Sequence, residues 1–248
     1  MNNKKQKHKC RRMILLVVIL AAFIGICGVM FIYGKSAADA EVVSDMKSAA
    51  IKKEKKHKKI KKPFYILVNK SHCLPDDYTI SLVTLKNGKQ VAKAMYHELR
   101  KMWFDCEKQN PGCEITVVSG YRTYSKQKKL LDEEIKKNEG LGMEPQEAEK
   151  DALRTVAPPG YSEHETGLCV DITAKNYGLL TAQQDKTPEN QWLRKNCTHY
   201  GFVLRYPKEK EKVTGYQYEP WHFRYVGKKA AVLMKKNNWT LEEYWETL

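Results

Sequence analysis

From residue 63 onward the apolar side chains recur with two periods, and these mark out the elements. Val91, Ala92, Met95, Leu99, Met102, Trp103 and Cys106 fall at helical spacing, which predicts an amphipathic helix over residues 90–108. Asn110-Pro111-Gly112 ends it. The short β-branched run Glu114 to Ser119 predicts a strand, and Ser125 to Asn138 returns to helical spacing. A further helix is expected from Pro145, because proline suits the first helical turn. Leu168–Ile172, Phe202–Tyr206 and Trp221–Val226 read as strands, the last alternating aromatic with polar residues. Thr187-Pro188 opens a helix that Gly201 closes, and Thr240 with Glu243 forms a capping box for the last one. Strands and helices are interspersed without regular crossovers or a Gly-rich phosphate loop. The expected fold class is therefore α+β, a small antiparallel sheet flanked by helices.

The N-terminal quarter has a different pattern. Met13 to Tyr33 is an uninterrupted 21-residue stretch without a charge, preceded by Lys4, Lys5, Lys7, Lys9, Arg11 and Arg12. A membrane-spanning helix needs about 20 apolar residues, and the positive flank stays cytoplasmic. The expectation is a single-pass anchor with everything after Tyr33 outside the cell membrane. A cleaved signal peptide is the rival reading, which Ala38-Asp39-Ala40 keeps open. Four segments follow: a basic tail (1–12), a membrane anchor (13–33), a Lys-rich linker (34–62) and a folded domain (63–248).

Charge sharpens this division. The chain carries a formal net charge of +15, but residues 1–62 hold 16 Lys/Arg against 4 Asp/Glu, so the folded part is close to neutral. A basic surface for nucleic acid is not expected on such a body. The Lys-rich linker reads as a self-repelling, solvated spacer, or as a contact for anionic lipid or wall polymer. Five cysteines fall after residue 62. Cys106 and Cys113 flank the Asn110-Pro111-Gly112 turn and are candidates for a short disulfide loop if the compartment oxidises them.

Two strings carry chemistry. In Ser162-Glu163-His164-Glu165-Thr166-Gly167-Leu168-Cys169-Val170-Asp171, Val170 and Ile172 share one strand face, while Asp171 shares the other with Cys169. A buried acid there needs a cation or donors to offset its desolvation. In Tyr218-Glu219-Pro220-Trp221-His222-Phe223-Arg224, His222 points away from the aromatic face, and Pro220 bends the chain so that Glu219 can join it. Two histidines and one carboxylate, with a position left for water, form a catalytic zinc arrangement, and Glu219 is free to take a proton from that water. His72, His97 and His199 read as surface or structural histidines.

These strings, with Leu67-Val68-Asn69-Lys70, Ser119-Gly120-Tyr121-Arg122 and Leu241-Glu242-Glu243-Tyr244, make residues 65–248 resemble the VanY-type D-alanyl-D-alanine carboxypeptidases of the LAS metallopeptidases. The family pattern is Ser-x-His-x-x-Gly-x-Ala-x-Asp followed by Glu-Pro-Trp-His. The resemblance implies one Zn2+ per chain held by His164, Asp171 and His222, with Glu219 as catalytic base. It implies Arg122 as partner of the oxyanion or the substrate carboxylate, and Ser162 and Gln127 as further substrate-binding residues. The implied activity is removal of the terminal D-alanine from peptidoglycan stem peptides or their precursors by attack of a metal-bound water. An L,D-carboxypeptidase of the same fold and a non-catalytic wall-binding module are the rivals. One departure stands out: Cys169 occupies the position where the family usually has Ala.

Overall fold

The computed structural model describes residues 63–248, so the basic tail, the expected membrane segment 13–33 and the Lys-rich linker lie outside the described residues. Among the described residues no helix is long and apolar enough to cross a membrane. Two antiparallel sheets organise the rest. A two-stranded ribbon pairs β1 (Leu82–Thr84) with β2 (Gln90–Ala92). The main sheet runs in the order β3 (Ile115–Ser119), β4 (Cys169–Ala174), β6 (His222–Tyr225), β5 (Phe202–Leu204), each neighbour antiparallel. This is the expected α+β class.

Helix α1 (Lys93–Gln109) buries Met95, Leu99, Met102 and Cys106. Its start corrects the sequence reading. Val91 and Ala92 belong to β2, where Val91 pairs with Val83, and they look helical in sequence because strand and helix point into one core. Across that core stand Val170 and Ile172 of β4, Phe202 of β5 and Phe223 and Tyr225 of β6. Each fully buried side chain of this size contributes about 1.5–3 kcal/mol, so α1 clamps one face of the sheet. The other face is thereby left for polar residues.

The remaining helices of five or more residues are α2 (Tyr124–Gly140), α3 (Pro145–Thr155), α4 (Pro188–Asn196), α5 (Lys228–Asn237) and α6 (Leu241–Trp245). Thr123 caps α2, Thr187 caps α4, and Thr240 with Glu243 makes the expected capping box on α6. Gly201, in the left-handed region at φ 84°, ends the 3-10 turn that follows α4. Cys106 and Cys113 do not close a loop: both are free thiols, and Cys106 is committed to the α1 core face.

Candidate active site

The polar face of the main sheet is set by register. Asp171 of β4 stands opposite His222 of β6 on one side and Ser119 of β3 on the other, so three strands contribute one row. A bulge between Val117 and Ser119 shifts the end of β3 just before Gly120. Gly120 is required there, since a Cβ would lie 2.3 Å from the Gln90 carbonyl oxygen, which accepts a hydrogen bond from Tyr121 N–H at 2.6 Å. The carbonyl of Gly120 then faces His164, whose Nδ1 lies 2.8 Å away.

His164 sits in the 3-10 turn Glu163–Thr166, which Gly167 ends at φ 70° before the chain enters β4. The Thr166 hydroxyl donates to the Glu163 carbonyl at 2.6 Å and accepts from Leu168 N–H, tightening that entry. Glu219 lies in a tight turn, not in a strand: His222 N–H donates to its carbonyl at 3.1 Å, and Asn190 of α4 holds the Pro220 carbonyl at 2.6 Å. This turn brings Glu219 Oε2 to 3.4 Å from His222 Nδ1, as the bend at Pro220 predicts. It also corrects the place of Trp221, which precedes β6 and lines the cleft instead of entering the core.

His164, Asp171 and His222 are brought together and are each 3–4% exposed. His164 Nε2 lies 3.3 Å from Asp171 Oδ2, and His222 Nδ1 lies 3.2 Å from Asp171 Oδ1. Donors bonded to one zinc at about 2.0–2.1 Å stand about 3.3 Å apart in a tetrahedron. Each ring has its other nitrogen against an acceptor, Gly120 O for His164 and Glu163 Oε2 for His222 at 3.4 Å, so the lone pairs of Nε2 and Nδ1 are left to the centre. Asp171 Oδ1 is buried and receives no hydrogen bond, which a cation among the three would remedy. The residues fit a divalent metal.

Electrostatics agrees. Burial and Arg122 oppose a charge on His164, but Asp171 raises its pKa to about 9. Burial likewise opposes a charge on His222, while Cys169, Asp171 and Glu163 together raise its pKa well above the ordinary value. Burial would push Asp171 up, and the two imidazoles outweigh it and hold its pKa far below the usual carboxylate range. The pocket therefore draws positive charge, from protons or from a metal.

The metal-type cluster opens into a cleft of about 400 Å³ that Arg122, Gln127, Ser162 and Glu219 also line. Arg122 Nε is buried without a hydrogen-bond partner, and Arg122 N–H anchors the segment by donating to His164 O at 3.0 Å. Gln127 Nε2 donates to Ala157 O at 2.8 Å, which leaves its buried Oε1 without a partner. Ser162, 3% exposed, leads into the His164 turn. His97 and His199 are exposed, and His72 is bound to Asn69 Oδ1 at 3.0 Å, as expected of structural histidines.

Sequence reasoning missed the support beneath His222. Glu163 Oε1 accepts from Arg205 Nε at 2.7 Å and from Arg224 Nη1 at 2.8 Å, all three side chains being fully buried. Arg205 continues to Glu242 through two bonds of 2.6 and 2.8 Å. The available signal was an arginine in each of two apolar runs that read as strands, Arg205 in Phe202–Tyr206 and Arg224 in Trp221–Val226, which demands a buried carboxylate. Also unforeseen are Tyr206, whose ring centroid lies 4.8 Å from that of His222, and Tyr216, whose ring lies tilted against Tyr206 at 4.7 Å.

The family model of the VanY D-alanyl-D-alanine carboxypeptidases matches residues 88–228, the stretch that holds the whole cluster. The chain belongs to this family. Among VanY relatives it is 40% identical over 190 residues to the putative carboxypeptidase YodJ of Bacillus subtilis (strain 168), covering 73% of this chain and 66% of YodJ. It is 37% identical over 182 residues to a D-alanyl-D-alanine carboxypeptidase of Enterococcus faecalis (strain ATCC 700802 / V583), covering 73% and 65%. The chain thus spans about two thirds of the length of these curated relatives. VanYB in complex with D-alanine-D-alanine superposes with a TM-score of 0.69 at 34% identity, over 75% of this chain and 99% of that one. A VanY D,D-pentapeptidase from a VanB-type resistance cassette in complex with Zn(II) gives 0.67 at 34%, over 74% and 99%. The LdcB LD-carboxypeptidase gives 0.63 at 39%, over 73% and 85%.

Proposed function

We propose that the protein is a zinc-dependent D,D-carboxypeptidase that removes the terminal D-alanine from peptidoglycan stem peptides or their precursors. One observation carries the reading: three buried donors at metal spacing stand beside a carboxylate, Glu219, that none of them needs as a fourth partner. A wall-binding module has no use for that carboxylate. His164, Asp171 and His222 would hold the zinc, which supplies Lewis acidity and lowers the pKa of water to about 7. Glu219, at the mouth of the cluster, takes the proton of the attacking water and passes it to the leaving amine, which an amide requires before it breaks. The Arg122 fork, with an unpartnered Nε, suits the terminal carboxylate of the peptide or the oxyanion. Gln127 Oε1 and Ser162 offer polar contacts to the peptide backbone.

The likeness to LdcB supports a second reading, an L,D-carboxypeptidase acting on tetrapeptide stems. Mass spectrometry of products from defined pentapeptide and tetrapeptide stems separates the two. Loss of D-alanine from the pentapeptide is the expected result, and loss from the tetrapeptide alone would overturn the D,D assignment. The segment 13–33 supports delivery outside the cell as a single-pass membrane protein, with the Lys-rich linker as spacer or as a contact for anionic lipid or wall polymer. Membrane fractionation with N-terminal sequencing tests it, and a soluble product beginning at Glu41 overturns it.

A further inference from the structure

We infer that Cys169 is a further donor to the metal centre, so that this chain offers a thiolate beneath the ion where the common family pattern offers only a methyl group. The inference rests on the reading of His164, Asp171 and His222 as ligands. Cys169 lies two positions before Asp171 on β4 and pairs in register with Arg224, which puts its side chain on the same sheet face as the Asp171–His222 pair. One ligand atom each from His164, Cys169 and His222 lie within 4.8 Å of one another, and all three residues are buried. Bonds of about 2.3 Å to sulfur and about 2.0–2.1 Å to nitrogen put those donors about 3.6 Å apart at a tetrahedral angle and at most about 4.4 Å apart, so a closing of up to about 1 Å around the ion completes the set.

Direction matters as much as distance. His164, Asp171, His222 and Glu219 line the cleft, whereas Cys169 is fully buried and does not. The sulfur therefore approaches from the sheet side, and the cleft side stays open for water and substrate. Zinc accepts a fifth donor in such sites. The unpartnered Asp171 Oδ1 at the same point independently marks it as built for a cation. A soft sulfur added to two imidazoles and a carboxylate shifts preference toward thiophilic metals such as cadmium.

The test uses the full chain loaded with cobalt(II). One bound cobalt should show a near-ultraviolet thiolate-to-cobalt charge-transfer band that Cys169→Ala removes while keeping one cobalt per chain. The same variant should lose cadmium affinity by a larger factor than zinc affinity in competition titrations. A cobalt-loaded protein without the band, or a band that persists in Cys169→Ala, overturns the inference and leaves the three-ligand reading standing. Cobalt binding that survives His164→Ala and His222→Ala removes that reading as well.

Discussion

Glu219 is the residue whose replacement reports most directly on chemistry. Its side chain is 13% exposed and touches the cluster only through the 3.4 Å approach to His222, so Glu219→Gln preserves shape and removes the proton carrier. That variant is expected to keep its zinc by metal analysis and to lose turnover by about 100-fold or more on a stem pentapeptide. Loss of zinc instead would identify Glu219 as a ligand. Glu163 calls for the opposite outcome. It lines the cleft wall next to His164, and its fully buried carboxylate holds the far nitrogen of His222 and neutralises two buried guanidinium groups. Glu163→Gln is expected to weaken zinc binding by about 10- to 100-fold, read by competition with a chromogenic chelator, with kcat largely recovered at saturating metal. Unchanged zinc affinity would sink the role assigned to it.

At the scale of elements, the site depends on a bulge and a crossing. β3 ends at Ser119, and Gly120 lets the chain pass against β2 so closely that no side chain fits. Gly120→Ala forces either β2 or the His164-binding carbonyl to move. It is expected to destabilise the fold by about 1–3 kcal/mol in urea unfolding and to weaken zinc binding at the same time. A stable protein with normal zinc affinity would show that the crossing adjusts without reaching His164. Helices α1 and α4 share the apolar core, where Trp192 and Leu193 of α4 join Leu99 and Met102 of α1, and Asn190 near the start of α4 fixes the turn that presents Glu219. The loop before β6 is therefore as determined as the strands.

Across the whole molecule, a buried ionic chain ties the first described segment and the last helix to the metal side of the sheet. Arg224 donates to Ile66 O at 2.8 Å, Glu242 of α6 accepts from Asn69 at 3.1 Å, and Arg205 links Glu242 to Glu163. Burial would raise the pKa of Glu242, and the Arg205 guanidinium outweighs it, so the folded value is depressed. An acid depressed below its unfolded pKa of about 4.3 contributes stability that is whole above that pH and fades as the pH falls through the folded value. Glu242→Gln leaves Arg205 charged with half its partners and is expected to cost about 3–5 kcal/mol at pH 7. The gap between wild type and variant should narrow in melts below about pH 4, and a gap independent of pH would remove this carboxylate from the acid response. The fold class, the strands of the main sheet, the Thr240–Glu243 capping box and the grouping of His164, Asp171, His222 and Glu219 were legible in the chain itself, while Arg122 entered through the family resemblance. Periodicity reports which face is buried, and the two strings keep their donors at fixed spacing. What the chain alone could not decide was the Glu163–Arg205–Arg224–Glu242 chain, the seat of Trp221, the β2 boundary at Val91 and the free state of Cys106 and Cys113. Each depends on what stands opposite a residue across strands far apart in sequence. A one-dimensional pattern records the need of a buried arginine for a partner, but only the packed sheet supplies which carboxylate meets it.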